Sequence, residues 1–124
     1  MKKGIIALFA IVLLASASGF SQVDFVIKNN AGYELFGLMV SQDGGSDWTD
    51  DLLTESEFPN NTQTTVTIPE GYTCNIYVKV SYMVNDQIYE EFLGSANVCD
   101  HSGIKIIKNP NGKSGDWMNT QYLD

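Results

Sequence analysis

Beyond residue 22, apolar and polar positions alternate with a period of two, and no stretch of roughly ten residues repeats its apolar positions at helical spacing. Val23, Phe25 and Ile27 alternate with Asp24 and Lys28, which predicts a first strand ending at Asn29-Asn30-Ala31-Gly32, residues that tolerate positive φ. Leu35 to Ser41 reads as a second strand. Its nearly unbroken apolar run predicts cover on both faces, with Gly37 at a close approach of backbone or a bulky ring. After the turn Pro59-Asn60-Asn61, Val66 and Ile68 alternate with threonines in a strand from Gln63 to Ile68. Cys74 to Tyr82 and Gln87 to Leu93 flank Asn85-Asp86 and read as a hairpin. Ile104 to Lys108 forms a last short strand, followed by the turn-rich Asn109-Pro110-Asn111-Gly112. About six or seven short strands at this spacing predict an all-β chain, a single-domain antiparallel β-sandwich of immunoglobulin-like or C2-like type. The domain spans residues 23–108, and residues 109–124 are a tail or an extra strand.

The first residues have a different character. Lys2 and Lys3 precede the apolar run Ile5 to Ala15 and then Ser16, Ala17, Ser18 and Gly19, the pattern of a secretory signal peptide over residues 1–22. Cleavage after Ala17 fits the small-x-small rule; cuts after Gly19 or before Gln22 are rivals. The run falls short of the ~20 apolar residues that span a bilayer, and no later segment is longer, so no stable membrane insertion is expected. No cysteine lies near the cleavage region to carry a lipid. The expected destination is the periplasm or the exterior.

Export changes the reading of charge and of the cysteines. Loss of Lys2 and Lys3 moves the net charge from −8 to −10. Such a domain repels nucleic acid and anionic lipid and favours cations or basic protein surfaces, besides staying soluble. Cys74 and Cys99 have no metal-ligand or redox spacing and, under oxidising conditions, read as one disulfide. A two-residue turn with Val84 opposite Gln87 sets Cys74 opposite Asn97; a slightly longer turn moves the partner toward Cys99. The bridge then closes the hairpin's open end and stabilises the domain by about 3–4 kcal/mol.

Ser41-Gln42-Asp43-Gly44-Gly45-Ser46-Asp47-Trp48-Thr49-Asp50-Asp51-Leu52-Leu53 sets acids, glycines and a tryptophan directly behind an apolar strand, which marks a shaped loop. This segment, with Asn30-Ala31-Gly32 before it and Cys74 and Cys99 after it, resembles a group of small exported bacterial proteins carrying a Val-Ser-Pro-Ser-Gly-Ser-Asp-x-Trp-Gly-x-Asp-Leu-Leu type of segment. The likeness covers roughly Phe25 to Ile107, with Gln42-Asp43 in place of Pro-Ser, Thr49 in place of Gly and Ala31 where Thr is usual. It implies a compact exported β-domain and supplies no activity to carry over.

Three uses of the loop are open. Ser46 or Asp47 caps a single helical turn from Trp48 to Leu53, with Asp50 and Asp51 near its positive end, Asp43 in an Asx turn with Gly44, and Leu52, Leu53 and Trp48 plugging the sandwich edge. Alternatively Asp43, Asp47, Asp50 and Asp51 supply hard oxygens to calcium, although the spacing is not that of an EF-hand and no glutamate closes the shell. The third use is direct recognition of a partner through Trp48.

Catalytic patterns are weak. His101 sits in Asp100-His101-Ser102, and neighbours in sequence do not converge as a triad must. Glu90 and Glu91 point to opposite faces of a strand, so they read as a solvated strand guarding an edge rather than an acid pair. If Ile76, Val78, Val80 and Tyr82 face the core, Tyr77 is exposed, either packing across the strands against Tyr89 or contacting a sugar or basic protein. Trp117 in the tail either covers apolar surface or docks. The expectation is a secreted or periplasmic, non-enzymatic β-domain with a binding or structural role in the cell envelope and no cofactor besides calcium. The alternatives are a calcium-dependent adhesion or carbohydrate-binding module and an acidic inhibitor of a cationic enzyme.

Overall fold

Successive side chains of a strand point to opposite faces, so alternating sequences give sheets with one apolar face each, and two such faces bury one another. The computed structural model describes residues 20–55, 57–112 and 116–123; the predicted signal peptide as far as Gly19 lies outside the described residues. Seven strands follow in order: β1 (Val23–Asn30), β2 (Leu35–Ser41), β3 (Thr62–Ile68), β4 (Asn75–Val84), β5 (Gln87–Asn97), β6 (Gly103–Lys108) and β7 (Met118–Tyr122). One sheet has the order β3-β1-β6-β7 and the other β2-β4-β5. All neighbours run antiparallel except β1 and β6, which are parallel from Val26 opposite Gly103 to Asn30 opposite Ile107. Phe25, Ile27, Val66, Ile68, Ile104 and Ile106 of the first sheet and Leu35, Leu38, Val40, Ile76, Val78, Val80 and Tyr82 of the second form the buried core. This is the predicted β-sandwich.

Two boundaries differ from the periodic pattern for local reasons. β1 continues through Asn29, which is fully buried because its amide has partners: Nδ2 donates to the carbonyls of Tyr33 (2.8 Å) and Phe58 (3.0 Å), and Oδ1 accepts from Ala31 N (3.0 Å). The polar side chain is a tie at the corner between sheets. Residues 118–122, within the segment read as tail or extra strand, form β7 along β6. The closest approach to Gly37 is not a ring's: a Cβ there would lie 3.3 Å from Ser81 Oγ.

The hairpin has the two-residue turn, with Asn85 at φ 53° and Asp86 at φ 65°, as a type I′ turn requires. Pairing runs from Val84 opposite Gln87 to Lys79 opposite Phe92; Leu93 then bulges out, and Val78 faces Gly94 at φ 94°. The shift that carries Cys74 toward Cys99 therefore lies within β5, not in a longer turn. Past the bulge, Val98 N donates to Cys74 O (2.9 Å), and the two cysteines form a disulfide with 5.2 Å between Cα atoms. The bridge closes a loop with a sequence separation of 25. The Cys74→Ala/Cys99→Ala variant is expected to lose about 3–4 kcal/mol in urea unfolding. Unchanged stability would mean that hairpin pairing alone holds this end.

Candidate functional site

In its sheet β2 has a named strand on only one side, and its other edge needs partners. The acidic loop and the residues that follow it, as far as Phe58, supply them. Thr49 N donates to Val40 O (2.9 Å), Leu52 N to Leu38 O (2.8 Å) and Leu35 N to Phe58 O (3.0 Å), while bridges join Ser41 to Trp48 and Leu35 to Phe58. Where no carbonyl falls in register, side chains substitute: Thr49 Oγ1 accepts from Val40 N (3.1 Å) and Asp51 Oδ1 from Leu38 N (2.9 Å) and Leu53 N (3.0 Å). The helical turn predicted from Trp48 to Leu53 is absent, since extended chain is what the edge of β2 can bond. Leu52 and Leu53 pack against the core at this edge.

Trp48 does not join the core. Its ring meets Phe92 edge-on (6.2 Å between centroids), Lys79 Nζ lies 4.5 Å from the ring centroid, and Nε1 donates to Gly45 O (3.1 Å). Tyr77 stacks on the same Phe92 (5.9 Å), not on Tyr89, because the hairpin register sets Tyr77 opposite Ser95 and Tyr89 opposite Tyr82. The two candidate binding residues thus meet on one outward face, around a Phe92 that is 51% exposed.

Asp43 shapes the front of the loop. Its Oδ1 accepts from Ser41 Oγ (2.8 Å) and from the backbone N–H groups of Gly45 (2.9 Å), Ser46 (3.3 Å) and Asp47 (3.3 Å). These donors, Gly45 foremost and the Ser41 hydroxyl next, hold the carboxyl at about 2 against an ordinary 3.8. Gly44 has φ 73°, which disfavours other residues, and a Cβ there would crowd the Tyr77 ring at 3.0 Å. Asp47 and Asp50 are exposed, and among the described residues no three His, Cys, Asp or Glu side chains gather as a metal site. The four aspartates are thus spread along the loop, two of them bonded to its own backbone.

A concave feature lies at the other side of the hairpin. A hollow of about 230 Å³ is lined by Tyr33, Tyr82, Val84, Tyr89 and Trp117. Tyr82 packs between Tyr33 (5.5 Å) and Tyr89 (5.9 Å). Behind the lining is Glu91. It and Glu90 do point to opposite faces, with Glu90 outward at 3.7 Å from Lys79 Nζ, but Glu91 is buried at 3% exposure and not solvated. Its carboxylate accepts from Tyr82 Oη (3.3 Å), Trp117 N (3.0 Å) and Met118 N (2.6 Å). Burial first, and then the Glu91 charge, push the Tyr82 hydroxyl up to about 12. The sequence signal that reaches Glu91 is its two-residue spacing from Tyr89, opposite the core-facing Tyr82. His101 stacks on Tyr122 at 3.5 Å, away from these lining residues.

The chain matches no family model, no curated protein and no solved structure, so the geometry carries the functional reading.

Asp51→Ala is expected to cost about 1–2 kcal/mol, because it leaves the amide of Leu38 without its acceptor. Faster amide exchange at Leu38 is the direct readout. Asp43, whose folded pKa is below its unfolded one, contributes stability that is complete above about pH 4 and lost as pH falls toward 2. Asp43→Asn should therefore flatten the stability profile across that window in urea titrations; parallel wild-type and variant slopes would contradict a stabilising role for the bonds Asp43 accepts.

Proposed function

We propose that the chain is an exported, non-enzymatic binding domain of the periplasm or cell exterior that receives a small ligand in the aromatic hollow. The observation that carries this reading is the lining: four rings and a valine around about 230 Å³, slightly below the range of about 300–1,000 Å³ that suits drug-sized ligands. Two of the three tyrosine hydroxyls there are already engaged, Tyr82 Oη donating to Glu91 and Tyr89 Oη to Gln87 Oε1 (2.8 Å). Ring faces, not proton transfer, are what this lining offers. The outward cluster supports a carbohydrate-binding role less well, since Lys79 lies over the Trp48 ring and Gly44 abuts Tyr77.

Export draws support from the disulfide, which persists under oxidising conditions, and from the N-terminal pattern of the sequence. Among the described residues no helix is long and apolar enough to cross a membrane. Phe20 favours cleavage after Ala17 or Gly19 over a cut before Gln22. Its N donates to Tyr72 O (3.3 Å), its carbonyl accepts from Gly71 N (2.8 Å), and its side chain packs against the core.

Expressed with its N-terminal segment, the protein should appear in periplasm or medium, oxidised and beginning at Ser18 or Phe20 by intact mass. Titration with small sugars, peptides and organic cations should then move the NMR signals of Trp117 and Tyr89. Retention of the full-length chain in the cytoplasm would refute export, and a hollow silent to every class would refute the binding role.

A further inference from the structure

We infer that the hollow formed by Tyr33, Tyr82, Val84, Tyr89 and Trp117, backed by the buried Glu91 carboxylate, binds a methylated ammonium group such as the trimethylammonium head of choline. The inference rests on the reading of the hollow as a ligand site and specifies what enters it. Aromatic ring faces carry the negative end of a quadrupole, and a desolvated cation enclosed by several of them is held electrostatically. Tyr33, Tyr89 and Trp117 are the lining rings left to meet a cation, since Tyr82 is buried with a ring on either side. One of these rings already has a cation near it: Lys108 Nζ lies 5.9 Å from the Tyr33 centroid.

The charge behind the wall points the same way. Glu91 is buried, and among the described residues the ion pair formed is Lys79 with Glu90, so no ammonium lies within ion-pair reach of the Glu91 carboxylate. Hydrogen-bond dipoles from Tyr82, Trp117 and Met118 hold it instead. Because Glu91 bonds two lining residues, Tyr82 and Trp117, its charge lies directly behind the hollow, and the acidic balance of the chain adds to it at longer range.

Hydrogen bonding selects among cations. Glu91 already accepts three donors, and the Tyr82 and Tyr89 hydroxyls donate to Glu91 and Gln87. A primary ammonium would leave its N–H groups poorly matched on such a lining, whereas a quaternary one has none to satisfy. A sugar, with a hydroxyl on almost every carbon, meets the same mismatch.

The test is NMR titration of the mature, oxidised chain with choline and, in parallel, with 3,3-dimethyl-1-butanol, a neutral molecule of nearly the same shape. Choline should move the Trp117 indole and the lining tyrosines saturably, with an affinity about ten-fold or more above that of the alcohol. Tyr89→Ala, which alters a half-exposed ring, should weaken choline binding by about ten-fold while the far-ultraviolet spectrum stays unchanged. Trp117→Leu offers a second test on the opposite wall. Equal affinity for the alcohol would overturn the inference and leave the hollow a ligand site. Silence toward both probes, where a sugar or peptide still shifts Trp117, would overturn it likewise. Silence toward every class would remove the binding role as well.

Discussion

The open end of the sandwich depends on one buried carboxylate. Glu91 belongs to β5 in the three-stranded sheet, yet two of its three donors are the backbone amides of Trp117 and Met118, where β7 of the other sheet begins. A carboxylate removed from water without partners costs several kcal/mol, so the fold must bring donors to it. The chain does so with two successive amides and a tyrosine hydroxyl. That requirement fixes where β7 starts and sets Trp117 across from Tyr82 and Tyr89. Removing the acid would free both amides at the start of a strand that β6 still pairs.

The remaining edges answer to the same accounting of backbone groups. β2 is closed by a segment that is strand-like in pairing but irregular in register, and Thr49 and Asp51 bridge the gaps with side-chain oxygens. The segment can reach β2 only because the chain reverses tightly at Asp43 and Gly44, where one carboxylate collects three amides and a ring crowds the position of a Cβ. β5 is blunted differently. Its bulge at Leu93 and Gly94 twists the strand, and Glu90 adds a charge to its outward face.

The sequence shows clearly those features that period and composition carry. Strand positions from Val23 to Lys108 follow from alternation, and the cysteine pair from compartment and hairpin, because both signals are local or nearly so. The loop after Ser41 is less legible, since Ser46, Asp47 and the leucines do spell a capped turn when taken alone. What overrides them is the unpaired edge of β2, a demand made by residues that precede the loop and satisfied only in three dimensions. Glu91 is the same problem in sharper form: nothing beside it in sequence announces donors at Trp117 and Met118, 26 and 27 positions later. β7 has a single fully buried side chain, Met118, so alternation there is too faint to mark a strand.

The hollow follows from these constraints taken together. The β4–β5 hairpin is long, and its type I′ turn preserves the strand twist, so Tyr82, Val84 and Tyr89 form a wall along its inward side. Donors on β7 can meet Glu91 only by stopping that strand at Met118, which leaves the wall beyond it faced by Trp117 alone from that side. Tyr82 is fixed by its bond to Glu91 and by rings on either side, so the wall has little freedom left to lose when a ligand enters. A site of this kind gains affinity from order the fold has already imposed. In the proposed binding mode the acid that bonds the start of β7 also supplies the field that selects the ligand, so fold and recognition share one residue.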